Sequence, residues 1–271
     1  MTIFESIVLG LVQGVTEFLP ISSTAHLRII PALAGWEDPG SSFTAVLQLG
    51  TLAAVLVFFA GDLLAMTKGI LGAVSDPTRR RDPEARLALS LVVGTLPVVI
   101  AGVLFKSAIH GALRALPVIA TAMIVVAIGL ALVERLAKHE RDFSAITLRD
   151  ALIIGCSQAL ALVPGVSRSG ITILAAMAIG LRRDAAARFS FLLSIPAIAG
   201  AGVFEMKHVL HSESAGLPLV VGLIVAAATG YASIAWLLKF LRTRTTMPFV
   251  VYRIAMGILI FALLAAGLVK A

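Results

Sequence analysis

The chain is predicted to be an all-α polytopic membrane protein with an inverted-topology repeat, each half a re-entrant helical hairpin plus three transmembrane helices. Three observations predict it. Of 271 residues, 59% are hydrophobic and 14% charged, with a mean hydropathy of +1.01, whereas about a quarter of an average soluble domain is charged. Six stretches reach the length of roughly 20 apolar residues that crosses a bilayer core. Two further apolar stretches run into Pro/Ser/Gly breaks that resemble each other. The composition excludes a water-soluble enzyme, a disordered chain and a nucleic-acid binder, since a nucleic-acid surface needs clustered charge on a solvated face. The single cysteine, Cys156, excludes a disulfide framework or Cys-rich zinc site and reads as a small packing residue.

Residues 2–19 open the chain with an apolar run carrying Glu5, Gln13 and Glu17. They lack the basic leader and cleavage site of a signal peptide, so the segment is expected to stay in the mature protein. The run breaks at Pro20-Ile21-Ser22-Ser23-Thr24, and a short helix is expected over 24–34. Full spans follow at 43–62, 86–105 and 116–136, and residues 62–86 are expected to be a loop. The second half starts with an apolar run over 146–163, the break Pro164-Gly165-Val166-Ser167-Arg168-Ser169-Gly170, and a short helix over 168–181. Spans at 187–206, 217–239 and 249–269 complete it.

Proline removes a backbone donor and glycine loosens a helix, so neither broken segment reads as a continuous span. Non-helical backbone at membrane depth is tolerated only when buried in protein or lining a wet cavity. Both segments are therefore expected to be re-entrant. An offset of 145 aligns Gly10 and Gln13 with Gly155 and Gln158, and 144 aligns Pro20 and Ser23 with Pro164 and Ser167. Repeat 1 then covers about 1–136 and repeat 2 about 146–271. Three crossings is an odd number, so the second half enters inverted and the broken helices meet near the midplane.

Charge tests this layout. With the N-terminus outside, the inward loops 62–86, 134–150, 181–188 and 239–244 hold 15 of the 22 Lys and Arg. The outer segments hold Arg28, Lys106, Arg114, Lys207 and Lys270, and Arg168 and Arg253 fall within membrane segments. The positive-inside rule thus places both termini outside. The first hairpin enters from the outside and the second from the cytoplasm.

An ionisable group within a bilayer costs several kcal/mol and is a functional candidate by default. Glu17, His26 and Arg168 stand at the breaks, with Gln13, Ser22, Ser23, Thr24, Ser167, Ser169 and Thr172 around them. Gln13 and Glu17 are four apart and share a helix face, as do Ser22 and His26. The helix N-terminus after each break is a ready anion site, and the Arg168 fork suits phosphate oxygens. A base, a hydroxyl cluster, an imidazole and an anion clamp together suit phosphoryl transfer. The competing readings are N-caps for Ser22, Ser23 and Thr24, a structural ion pair of Glu17 with Arg168, and helix-to-helix hydrogen bonds for Gln13, Gln158 and Gln48. Gly10 and Gly14 read as close helix packing. His110, His139, His208 and His211 fall in loops without ligand partners.

Gln13 through His26 and Pro164 through Gly170 resemble the two signature motifs of the bacterial undecaprenyl-pyrophosphate phosphatases, the bacitracin-resistance family. The likeness extends to Leu47-Gln48-Leu49-Gly50, Phe189-Ser190-Phe191-Leu192-Leu193 with Pro196, and Tyr252-Arg253, hence over essentially the whole chain. The resemblance implies a plasma-membrane enzyme that removes the terminal phosphate of a polyprenyl pyrophosphate lipid and recycles the cell-wall carrier. It also implies a divalent cation, Mg2+ or Ca2+, and an outward-opening active site. Carried over, the catalytic residues are Glu17, Ser23, His26 and Arg168, with Glu17 as the metal ligand. Gln13, Ser22, Thr24, Gln48, Ser167, Ser169 and Thr172 are the expected substrate-binding residues. Some family members have glutamate where Gln13 stands and glycine where Ala25 stands. With Glu17 as the lone carboxylate, magnesium binds through it and the substrate phosphates.

In this reading Ser23 or a water is the nucleophile, Glu17 the base or metal ligand, and His26 the proton donor. Membrane lipids surround the protein and a homodimer is left open. The alternative class is a transporter or flippase of the lipid phosphate, because inverted repeats with broken helices are the usual build of secondary transporters.

Overall fold

The computed structural model describes residues 1–105, 112–210 and 216–269. Lys106, His110, His211 and Lys270 lie outside them, as do the side chains of Lys207 and His208. Among the described residues the chain is all-helical, with eleven α-helices and one isolated bridge, Arg141 to Leu181. The helices are α1 (Ile3–Phe18), α2 (Ser23–Ala34), α3 (Gly40–Phe58), α4 (Ala60–Ser75), α5 (Pro83–Leu104) and α6 (Leu116–Leu136) in the first half. The second half holds α7 (Leu148–Ala159), α8 (Arg168–Ala178), α9 (Arg183–Leu210), α10 (Leu217–Leu241) and α11 (Met247–Ala265).

Six helices are long and apolar enough to cross a membrane: α3, α5, α6, α9 as far as Met206, α10 and α11. They fall where the six expected spans lie. One expectation is corrected. Residues 62–86 are not a loop, because α4 runs to Ser75 and a 3-10 turn occupies Pro77–Arg81. The first span ends at Phe58, where the chain turns at Phe59 before α4. Helix α4 buries Met66 and Gly69 and exposes Leu64, Leu71 and Val74. Charged loop composition hid a helix that seats one narrow face on α5.

Helices α1 and α7 begin alike. Thr2 and Glu5 form a capping box on α1, and Thr147 and Asp150 form the same box on α7. Each box satisfies two orphan backbone donors reciprocally. The two threonines and the two acids are again 145 apart.

Glycines set the helix contacts. A Cβ on Gly10 would lie 2.5 Å from the Gly222 carbonyl on α10, and one on Gly155 would lie 2.1 Å from the Gly94 carbonyl on α5. The first helix of each half thus packs backbone to backbone on the second full span of the other half, as small residues permit. Gly14 does the same against Gly230, as the spacing of Gly10 and Gly14 predicts. Cys156 is exposed on α7, which corrects its reading as a packing residue.

Ion pairs join each end of the bundle. At one end Glu134 at the close of α6 binds Arg183 of α9 and the Thr246 backbone N–H and hydroxyl before α11. There too Arg188 pairs with Asp62, and Arg141 with Asp150. At the other end Asp38 receives Arg114 and Arg28, Ser42 donates to Glu205, and Phe4 packs edge-on against Trp36. Helices α1 and α7 therefore start at opposite ends and run toward each other.

Candidate active site

The two breaks meet. The Gly165 N–H donates to the Thr24 hydroxyl (3.4 Å), and the Ser169 hydroxyl lies 3.1 Å from the carbonyls of both Glu17 and Leu19. The residue before each short helix takes the same unusual backbone, Ser22 at φ 76° and Ser167 at φ 71°. Non-glycine residues rarely enter this left-handed region, and they persist there where the surroundings over-determine them.

Arg253 on α11 does the over-determining. Its guanidinium is fully buried. It donates to Pro20 of the first break (3.1 Å), to Gly165 (2.9 Å) and Val166 (3.1 Å) of the second, and to Met123 (3.1 Å) and Ala122 (3.4 Å) of α6. Every acceptor is a backbone carbonyl. One cation on the last helix thus holds both tips by their main chains. The sequence reading placed Arg253 in a membrane segment but assigned it no role. A lone arginine within the last apolar span was the available signal.

Glu17 is the hub of the side chains. Arg168 Nη2 donates to its Oε1, while Ser23 Oγ (2.6 Å) and Gln13 Nε2 (2.7 Å) donate to its Oε2. Arg168 Nη1 also donates to the Ser194 carbonyl of α9 at 3.1 Å. A buried carboxylate of one half and a largely buried guanidinium of the other compensate each other, and removing either partner would leave the other's charge poorly solvated. Phe18 and Phe191 pack edge to face, 5.1 Å apart, beside the pair. An ion pair alone fits a purely structural role. The Ser23 hydroxyl on the same carboxylate goes further, because it makes a nucleophile, a base and an orienting cation in one line.

His26 stands apart from Ser23. Its Nδ1 lies 2.7 Å from the Ser22 carbonyl and its Nε2 2.5 Å from the Tyr252 hydroxyl. The imidazole and phenol rings lie nearly parallel, at 13°, with centroids 5.6 Å apart. Both ring nitrogens are taken by groups other than Ser23 and Glu17. Tyr252 was visible in the sequence only as part of the family resemblance.

The remaining expected residues divide. The Ser22 hydroxyl meets Thr24 (3.1 Å) and does not cap α2, so its cap reading fails. With no side-chain cap, the first-turn N–H groups of α2 are available to an anion. The Ser167 hydroxyl does cap α8, accepting from Gly170 N–H at 3.1 Å, and lies 3.2 Å from Ser169. Thr172 is fully buried, donates to the Arg168 carbonyl (2.7 Å), and meets Ser190 of α9 at 2.6 Å, which ties α8 to α9. Gln48 is half-buried on α3 and outside the hydrogen-bonded cluster. Gln13 bonds within its own helix, and the fully buried Gln158 amide has no partner among the described residues, so neither makes the helix-to-helix bond weighed for it.

The residues do not fit a cation held by the protein. Glu17 is the sole carboxylate of the cluster, and its oxygens already accept from a guanidinium, a hydroxyl and an amide. Among the described residues no three His, Cys, Asp or Glu side chains converge. A hard divalent cation needs several free oxygen ligands; beside Glu17 the buried Gln13 Oε1 is the one oxygen without a partner.

Comparison with known proteins places the chain in a family. The family model described as "Bacitracin resistance protein BacA" matches residues 6–259. A protein of Myxococcus xanthus named undecaprenyl-diphosphatase is 53% identical, over 98% of this chain and 91% of its own. One of Gloeobacter violaceus with the same name is 52% identical, over 98% and 93%. One of Chlorobium phaeobacteroides, likewise named, is 47% identical over all of both chains. A family model and relatives of this identity, matched from end to end, carry the conclusion that the chain belongs to the BacA bacitracin-resistance family.

Proposed function

We propose that the chain is an undecaprenyl-diphosphatase that hydrolyses a polyprenyl pyrophosphate to the monophosphate and inorganic phosphate at the outer face of the plasma membrane. The observation that carries this reading is the Arg168–Glu17–Ser23 array at the junction of the two breaks. In the step we infer, Ser23 Oγ attacks the terminal phosphorus while its proton passes to Glu17 Oε2. The bridging P–O bond breaks and the polyprenyl phosphate departs with the bond's electron pair. Protonation discharges Glu17, so the Arg168 fork is released toward the equatorial phosphoryl oxygens, where charge must be stabilised. The uncapped N–H groups of α2 support the same oxygens. Water then attacks the phosphoserine phosphorus, the P–Oγ bond breaks with its electron pair going to Ser23 Oγ, Glu17 returns the serine proton, and the water's protons stay on the released phosphate. The version in which water attacks directly uses the same base.

Mg2+ or Ca2+ has no protein-built seat beside Glu17 and would arrive on the pyrophosphate oxygens. We further propose that the halves are inverted repeats with both termini outside. Helices α1 and α7 starting at opposite ends, and the exchanged glycine contacts Gly10–Gly222 and Gly155–Gly94, support this. Carrier recycling and bacitracin resistance follow from such an activity.

The test is phosphate release from a polyprenyl pyrophosphate by the purified chain in detergent, where transport is impossible. Release that Glu17→Ala and Arg168→Ala abolish supports an enzyme. No release, with lipid phosphate moving across vesicles, supports a flippase instead. A phosphoserine trapped at Ser23 supports the covalent route, and an active Ser23→Ala chain eliminates it.

A further inference from the structure

His26 makes two hydrogen bonds that together leave its neutral ring one tautomer. A carbonyl oxygen only accepts, so the bond of Nδ1 to the Ser22 carbonyl places the ring proton on Nδ1. In the neutral ring Nε2 is then a lone-pair acceptor, and the group 2.5 Å from it is the Tyr252 hydroxyl, which donates. The rings lie nearly parallel, at 13°. The phenol thus meets the imidazole edge to edge and nearly coplanar, and the two hydrogen bonds fix the ring's plane and rotation. Tyr252 is itself placed by its neighbour, because Arg253 is bolted to both breaks. Among the described residues the exposed phenol is the group that meets Nε2.

We propose that Tyr252 is a positioning residue for the reaction: its hydroxyl and ring hold His26 as the neutral Nδ1–H tautomer, with the Nε2 lone pair presented where a phosphate oxygen of the substrate will lie. The hydroxyl occupies that place in the resting site. A protonated phosphate oxygen that displaces it finds an acceptor already aimed, and the proton it yields to Nε2 makes His26 the acid for the departing phosphate. This deepens the phosphatase reading and rests on it, but the histidine geometry is measurable without turnover.

The experiment uses the full chain labelled with ¹⁵N-histidine in detergent micelles, with His26→Gln identifying the His26 signals by their disappearance. Wild-type protein should show a protonated Nδ1 and a hydrogen-bonded, unprotonated Nε2. In Tyr252→Phe, which keeps the ring and removes one oxygen, the Nε2 signal should move toward that of a free lone pair. On polyprenyl pyrophosphate, kcat should fall about tenfold with KM within about twofold, and Tyr252→Ala should fall further. An unchanged Nε2 signal in Tyr252→Phe overturns the proposal, as does an altered signal with unchanged kcat. A wild-type chain without hydrolysis refutes the phosphatase reading, while the Nε2 signal still decides whether Tyr252 sets the tautomer.

Discussion

Arg253→Lys separates charge from shape at the point where the two breaks are joined. The guanidinium serves five carbonyls, one of them, Ala122, at a long 3.4 Å. A lysine keeps the positive charge but offers three donors on a single nitrogen, in no fixed fork. It can serve at most three of those carbonyls, so at least two lose a charged donor. Hydrogen bonds to a charged group contribute about 1.5–3 kcal/mol each, which puts the loss at roughly 3–6 kcal/mol, toward the lower end if Ala122 is one of the two. Three of the five, Pro20, Gly165 and Val166, are the carbonyls that keep Glu17 and Arg168 in register, and a single ammonium nitrogen without the fork cannot hold them as the guanidinium does. Misplacing reacting groups by about 1 Å costs on the order of a hundredfold in rate. Phosphate release should therefore drop by about two orders of magnitude, with a lower thermal inactivation midpoint in detergent. Arg253→Lys at wild-type rate and stability would refute the account of Arg253 as the staple of the two tips.

Four further outcomes are expected. Glu17→Gln keeps an acceptor for Ser23 but leaves Arg168 buried without a counter-charge, so kcat should fall by roughly 10²–10⁴; Glu17→Gln/Arg168→Gln should restore part of the stability and none of the rate. Gln13→Glu places a second carboxylate one turn from Glu17, so phosphate release should become strongly dependent on added Mg2+, and a titration with chelator reads this directly. Gly155→Ala drives a Cβ to 2.1 Å from the Gly94 carbonyl and should lower stability by about 1–3 kcal/mol or more, as overpacking does, whereas Gly61→Ala, with open space around it, should be silent. Burial alone would push the Asp150 carboxyl up, but hydrogen bonds from Arg141 and Thr147 outweigh it and hold it below the ordinary range. That contribution to stability is present above the ordinary carboxylate value near 3.9 and fades as pH falls through the lowered one. Acidification should therefore destabilise wild type more than Asp150→Asn, as thermal melts across pH would show.

The number and place of the spans were legible in the sequence because lipid imposes a length of apolar chain that few other constraints imitate. The breaks were legible because proline and glycine act locally, and Glu17, Ser23 and Arg168 because a charge in an apolar run has no cheap explanation. The capping boxes at Thr2 and Thr147 were equally visible and would have lengthened the repeat. Helix α4 was hidden, since a charged stretch reads as loop until a neighbour supplies the surface for its narrow buried face.

What the tertiary structure alone decided is which polar groups share a partner. Glu17 and Arg168 are 151 positions apart and His26 and Tyr252 are 226, and no periodicity carries information over such distances. Spacing grouped His26 with Ser22; the packing of α11 gave its Nε2 to Tyr252, and Ser23 went to Glu17. Local sequence determines where a helix must break. Whether two breaks become one site depends on a buried cation from the far end of the chain, whose carbonyl partners lie on three separate segments that only packing brings together.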